Sequence, residues 1–283
     1  MSQPSVYLNG KIVPAEQAWL SIHDAGFLHG ASAFTTMRAH NGVVFRLASH
    51  LARLLETVEA MGLKTSADAI GLAGATRELL AANELREAQL RVTLSPGSVR
   101  GEAAPTTLIT AAPLGEHPKA WYEQGITVVI SPFKQSSADP ACGHKTGCYF
   151  PRVLARQNAA ERGAEEALWY TLDNRLAEAC FSNVFLVLEG AVRTPPLATP
   201  VLPGIVRQAV IELCGQLGIP CDPQGNLTVR EMLAAQEIFV TNSLSGIRPV
   251  AKVELHSVGE GKPGPITKKL MGAYQDLLDR ECV

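Results

Sequence analysis

Two Asn-Gly dipeptides constrain this chain most: Asn9-Gly10 within SVYLNGKIVP, and Asn41-Gly42 between AFTTMRAH and VVFRL. Both central residues of a type I′ turn need positive φ, which Asn and Gly tolerate best. Each dipeptide, set between β-prone runs, therefore closes a tight antiparallel hairpin. The alternation flanking the second predicts that both hairpins belong to one sheet. Such a sheet needs a cover, and Leu47, Leu51, Leu54, Leu55 and Val58 recur at helical spacing, with Arg46, Arg53 and Glu56 off that stripe and Gly62 at its end. A second helix is predicted over 67–82. Two strands follow, AQLRVTLS and TTLITAAPL, around a Gly- and Arg-bearing loop, PGSVRGE.

The segment PLGEHPKAW is rich in turn residues and stands between a finished strand and a new one, ITVVIS, which predicts a domain boundary there. The expected organisation is a small N-terminal α/β domain over 1–113, a linker over 114–120 and a larger C-terminal domain over 121–283. In the second half, a helix from about Phe150 to Arg162 precedes EALWYTLD, a turn at Asp173-Asn174, the apolar stretch LAEACFSNVFLV and a hairpin turn at Glu189-Gly190. Then come a Pro-rich loop, the helix IVRQAVIELCGQLG, a short helix after Thr228, the strand EIFVTNS and a last helix from about Ile266 to Cys282. The class is α/β, or α+β, with two subdomains.

At 283 residues the chain can bury a real core as one large domain or two moderate ones. Lys plus Arg number 25 and Asp plus Glu 27, a net charge of −2 without any basic run, so nucleic acid is not an expected partner. The N-terminus lacks a signal-peptide pattern and no apolar run has bilayer-spanning length, which predicts a cytoplasmic protein and no membrane partner. The six cysteines lack paired C-x-x-C spacing, so reduced thiols and no metal are expected.

Lys145, in the Gly-bounded turn CGHKTGCYF, is a candidate amine nucleophile: a lysine withdrawn from water loses its charge more easily and can attack a carbonyl. A solvated loop lysine is the plainer reading. Glu178 stands beside a strand built for burial, where an acid is costly unless it meets a cation or a strong donor such as a protonated pyridine nitrogen. A surface ion pair at a strand end is the alternative. LPGIVRQAV, from Leu202, opens from a Gly turn into an amphipathic helix, and free first-turn N–H groups there form an anion site suited to phosphate. TNSLSGIRPV, from Thr241, is a second phosphate-binding candidate or merely a polar turn.

In this order, the lysine loop, E-A-x-x-S-N-x-F, LPGIVR and TNSLSGIRPV, preceded by HDAGFLHGASAFTTMR and FRLASHLARL, resemble the fold-type IV pyridoxal-phosphate enzymes over nearly the whole chain. That family holds branched-chain and D-amino acid aminotransferases, amine transaminases and aminodeoxychorismate lyases. The resemblance implies pyridoxal 5′-phosphate between a small and a larger domain, and a homodimer. It implies that Lys145 carries the cofactor as a Schiff base and shuttles the substrate proton, and that Glu178 pairs with the pyridinium nitrogen. Leu202 would pack on the ring. The N–H groups of Ile205 and Val206, the Ser243 hydroxyl and the Arg53 guanidinium would hold the phosphate. Tyr149 matches a tyrosine near the cofactor's phenolic oxygen, and Asn183 either contacts the site or caps its strand.

This chain departs from the family pattern in several places. It reads His29-Gly30-Ala31 without the usual following acid, has Val206 where threonine is common, and spaces lysine and tyrosine by four residues. Phe34, Thr35, Arg38, Arg91, Arg100, Leu244 and Ser245 are the candidate substrate-binding residues, with Arg91 or Arg100 as carboxylate partner. Thr35-Thr36 resembles the lyases, whereas Phe34, Arg91 and the tyrosine after HKTGC resemble branched-chain enzymes. The expected function is an aminotransferase acting on an amino acid and a 2-oxo acid, of branched-chain or D-amino acid type. Aminodeoxychorismate lyase is the alternative, and a non-catalytic pyridoxal-phosphate-binding protein a distant one.

Overall fold

The computed structural model describes residues 4–98, 100–101 and 103–283. It divides into two compact units: one of Met1–Gly115, Lys145–Tyr149 and Leu278–Val283, the other of Glu116–His144 and Phe150–Leu277. Among the described residues no helix is long and apolar enough to cross a membrane.

The first unit contains β1 (Ser5–Leu8), β2 (Lys11–Pro14), α1 (Ala25–His29), β3 (Ala33–His40), β4 (Val43–Val44), α2 (Leu47–Ala60), α3 (Ala69–Ala82), β5 (Ala88–Ser95) and β6 (Thr106–Pro113). Its strands form one antiparallel sheet in the order β2-β1-β6-β5-β3-β4, so the two hairpins lie at opposite edges of the same sheet. Asn9 and Gly10 have φ of 48° and 91°, and Asn41 and Gly42 of 54° and 85°, the paired positive values of type I′ turns. Met37, Leu90 and Val92 of the sheet share a core with Leu51, Leu54 and Val58 of α2 and Leu72 and Leu79 of α3. Each such leucine contributes about 1.5–3 kcal/mol by leaving water. Asp68 caps α3 by accepting from the Ile70 and Gly71 N–H groups. Arg53, off the leucine stripe of α2, is nevertheless buried.

The second unit contains α4 (Ala120–Glu123), β7 (Ile126–Gln135), α5 (Phe150–Glu161), β8 (Glu166–Thr171), β9 (Leu176–Ala179), β10 (Asn183–Leu188), β11 (Ala191–Arg193), α6 (Ile205–Leu217), β12 (Cys221–Asp222), α7 (Val229–Ala234), β13 (Glu237–Asn242), β14 (Gly246–Val253), β15 (His256–Ser257) and most of α8 (Pro265–Glu281). The strands run β12-β11-β10-β13-β14-β7-β8-β9, with β15 on β14; β7 pairs parallel with both β8 and β14. Strands β8, β9 and β10 are buried at every residue, as strands covered on both faces are.

The stretch LAEACFSNVFLV is not one strand but two, β9 and β10, five steps apart along that path. Five steps in a flat sheet span about 24 Å. The four Cα–Cα steps from Ala179 to Asn183 reach at most about 15 Å, so the sheet curls until β9 and β10 approach. Cys180–Ser182 are the closing corner, and the Ala179 N–H donates to the Ser182 carbonyl at 2.7 Å. The chain after Ser245, read from sequence as part of a phosphate-binding loop or a polar turn, is strand β14.

Expected in the C-terminal domain, Lys145–Tyr149 instead belongs to the first unit. The Phe34 N–H donates to the Lys145 carbonyl at 2.9 Å, the Gly147 N–H donates to the Ser32 carbonyl at 2.7 Å, and Ala33 bridges Thr146. A Cβ on Gly147 would overlap Ser32 Oγ and the Gly30 carbonyl, so glycine is what admits this approach.

Candidate active site

In the first unit, the half-buried Lys145 Nζ donates to Tyr149 Oη at 3.1 Å. It lies 4.6 Å from the Phe34 ring centre and 4.9 Å from that of Tyr149. These two rings meet edge to face at 5.2 Å. Arg91, cross-strand neighbour of Thr36, lays its guanidinium 3.5 Å over the Phe34 ring. Desolvation lowers the pKa of Arg91, while the nearby Tyr149 phenol acts the other way. An amine, a phenol, an aromatic wall and a guanidinium thus share one cluster.

Behind it lies a polar group that the sequence reading did not foresee. Thr35 Oγ1 is 2.9 Å from His50 Nδ1, and Arg53 Nη2 reaches Thr35 Oγ1 at 3.2 Å and His50 Nδ1 at 3.5 Å. All three side chains are buried. Burial first, then the charges of Arg53 and Lys145, holds the His50 pKa well below its ordinary 6.5, so the ring is neutral. An arginine donor facing Nδ1 requires a lone pair there, which places the ring proton on Nε2 and makes the Thr35 hydroxyl a donor to Nδ1. Desolvation lowers the Arg53 pKa to about 10, still leaving it protonated near neutrality. The hydroxyl of Thr35, a substrate-binding candidate from sequence, is thus engaged by His50 and Arg53 in the core. His50 precedes Arg53 by three residues on one helix face, the signal that sequence reasoning passed over.

Arg38 is likewise separated from the cluster. It stands four residues beyond Phe34 on the same strand, about 13 Å away, and pairs with Glu87 at 3.5 Å in a group with His40. Arg100 is exposed on the loop after β5, its N–H donating to Ser98 Oγ.

In the second unit, Glu178 is buried at the end of β9. Its Oε2 accepts the Leu202 N–H at 3.0 Å, and Asn183 Nδ2 donates to the Leu202 carbonyl at 2.9 Å. The acid and the amide thus grip Leu202 from both sides, two residues before the Gly204 N-cap of α6. Gly204 gives the helix no side-chain cap, and the first turn begins with the N–H groups of Ile205 and Val206. Glu178 Oε1 meets Arg152 Nη2 at 2.6 Å, a partner that no local sequence pattern announced.

Ser243–Ser245 form the turn between β13 and β14. Asn242 Oδ1 accepts from the Leu244 N–H, the Ser245 N–H and Ser245 Oγ at 2.9 to 3.1 Å, and Tyr122 Oη donates to the Ser245 carbonyl. Asn242 Nδ2 in turn donates to Ser182 Oγ, which donates to Glu166; Glu166 is paired with the buried Arg248 at 3.3 Å. The Ser245 hydroxyl therefore serves the turn itself, while Ser243 and Leu244 are half-buried at its tip.

Each unit by itself carries groups of the kinds that hold pyridoxal phosphate: an amine, a phenol and a guanidinium in the first, and a carboxylate, an uncapped helix start and the Ser243 turn in the second.

A family model described as amino-transferase class IV matches residues 32–253. The chain is 29% identical to the branched-chain-amino-acid aminotransferase of Escherichia coli K12, covering 98% of this chain and 93% of that one. It is 27% identical to the D-alanine aminotransferase of Bacillus licheniformis, covering 96% of each. A solved structure of the Escherichia coli branched-chain aminotransferase aligns with a TM-score of 0.93 at 27% identity, over 100% of this chain and 97% of that one. Matched over far more than half its length by that family's model, the chain belongs to the class IV aminotransferases.

Proposed function

We propose that this enzyme binds pyridoxal 5′-phosphate and moves an amino group between an amino acid of branched-chain or D-amino acid type and a 2-oxo acid. The observation that carries the reading is Lys145 Nζ held by the Tyr149 phenol between two aromatic rings, with Arg91 over the same wall. The relatives named as branched-chain and D-alanine aminotransferases support the substrate class. Bound pyridoxal phosphate would supply the electron sink that makes an amino acid's α-hydrogen acidic.

Lys145 Nζ takes that proton and returns it, and Tyr149 Oη orients the amine. Glu178, its own position fixed by the Leu202 N–H, would accept a hydrogen bond from the ring N–H of the bound cofactor. The Ile205 and Val206 N–H groups, the Ser243 hydroxyl and the Arg53 guanidinium would hold the phosphate. Asn183 holds the Leu202 carbonyl and so the approach to α6. Phe34 and Tyr149 favour an apolar substrate side chain, and Arg91 takes a carboxylate.

The homodimer implied by the family belongs to this reading. Exposed Trp19, Leu20, Ile22, Phe27 and Leu28 offer it an apolar face, and sedimentation velocity tests it. Six free thiols suit a reducing compartment, and the cytoplasm is the proposed location.

The deciding assay offers 2-oxoglutarate or pyruvate as acceptor with L-leucine, L-valine, L-isoleucine, D-alanine and D-glutamate in turn. Amino transfer with at least one donor, abolished in Lys145→Ala, is expected. Pyruvate and 4-aminobenzoate released from aminodeoxychorismate, with no transfer from any donor, would replace it by the lyase reading.

A further inference from the structure

Arg152 occupies the first turn of α5, where a cation opposes the helix dipole. Its guanidinium is nevertheless fixed on several sides. Nη1 donates to the Ala179 carbonyl at 2.8 Å, Nη2 donates to Glu178 Oε1 at 2.6 Å and to Gln135 Oε1 at 3.1 Å, and the group lies 4.6 Å from the Trp169 ring centre. Gln135 is itself anchored through Nε2 to the Pro200 carbonyl. Three strands, β7, β8 and β9, therefore define where this guanidinium sits.

The consequence falls on Glu178. Arg152 holds one carboxylate oxygen and the Leu202 N–H holds the other, so rotation about the terminal side-chain torsion is blocked from both sides. The contact is through one nitrogen rather than a bidentate fork, and each oxygen keeps a further lone pair for another donor. The positive charge also makes a buried carboxylate tolerable before any cofactor arrives.

We propose that Arg152 is a positioning residue for Glu178, pinning the carboxylate in the orientation that receives the ring N–H of the bound cofactor. The inference rests on the role given to Glu178 above. A purely structural Arg152, tying α5 to β9, would instead act independently of Glu178.

The test compares the wild type with Arg152→Met, Arg152→Lys, Glu178→Gln and the double variant Arg152→Met/Glu178→Gln. For each, kcat and KM for the amino donor, the dissociation constant of pyridoxal phosphate and the visible spectrum of the bound cofactor are measured. Arg152→Met is expected to lower kcat ~10-fold or more with KM nearly unchanged. It should also weaken cofactor binding several-fold and shift the spectrum toward that of Glu178→Gln. Arg152→Lys should restore part of the loss, and the double variant should be no worse than Glu178→Gln alone, because both changes act through one carboxylate. Losses that multiply in the double variant, or wild-type kcat and cofactor affinity in Arg152→Met, overturn the proposal. If Glu178→Gln itself changes neither kcat nor cofactor affinity, the role of Glu178 fails, and this inference with it. Should Arg152→Met not fold, Arg152→Gln, which keeps a hydrogen-bond donor without the charge, replaces it in the same cycle with the same expectations.

Discussion

At the scale of single residues, the chemistry depends on side chains whose neighbours are distant in sequence. His50 is an example with a measurable signature. Its pKa in the folded protein lies well below 6.5, chiefly through burial. Above about pH 6.5 the ring is neutral in both folded and unfolded chains and adds no pH dependence. Below that value the unfolded chain takes up a proton that the folded one does not, so stability falls as pH falls. Between about pH 7.5 and pH 5.5 the wild type should therefore lose more stability than His50→Gln, read from urea unfolding at the two pH values. Equal losses would show that His50 is not held neutral. The same variant loosens the packing around Arg53, and weaker pyridoxal-phosphate binding is expected with it. Nothing in FTTMRAH marks Thr35 as an internal partner of a helix residue, because the alternation of a strand tells which face a side chain takes and not what waits there.

At the scale of elements, the start of α6 is the most exacting piece. Gly204 lies so close to Asn183 that a Cβ would overlap Asn183 Oδ1, whereas a Cβ on Gly215, near the other end of the same helix, meets nothing within 4 Å. Gly204→Ala must displace the amide that holds Leu202, and should raise the pyridoxal-phosphate dissociation constant by ~10-fold. Gly215→Ala should instead stabilise the fold by ~0.5–1 kcal/mol with cofactor affinity unchanged. Isothermal titration and thermal unfolding of the two variants check the contrast. Equal effects at the two positions would mean that the helix as a whole, not its entry, governs the site. The elements themselves follow largely from local pattern. Asn-Gly pairs, the leucine stripe of α2, the Asp68 cap and the Thr228 capping box to Glu231 act within a few residues.

At the scale of the whole molecule, the chain's last residues belong to the unit that begins it. Leu278 and Cys282 are fully buried there, His40 meets Asp279 at 2.8 Å and Arg46 meets Glu281 at 3.1 Å. Removing Leu278–Val283 should therefore destabilise the first unit by at least ~2 kcal/mol, mostly from the loss of Leu278 burial, and lower its unfolding midpoint on heating. An unchanged midpoint would show that these contacts contribute nothing. Assignment of the lysine segment was likewise a tertiary matter. Lys145–Tyr149 lies within a long run belonging to the second unit, and its backbone bonds to Ser32 and Phe34, with the ring contact of Tyr149 on Phe34, join it to the first.

The sequence by itself determined the hairpins, the amphipathic helices, the α/β class and the order of motifs that announces the family, since each depends on propensity or periodicity within a short window. It also singled out Lys145 and Glu178, though only through the order of motifs around them, since each taken alone reads as a loop lysine or a surface ion pair. Only the tertiary structure decided that Arg53 is buried beside His50 and Thr35, that LAEACFSNVFLV breaks into two strands of a curled sheet, and that Arg152 and Leu202 hold the two oxygens of Glu178. Those outcomes depend on which surfaces meet when the chain collapses. Burial, desolvation and ion pairing are set by neighbours in space, and no window of sequence contains them.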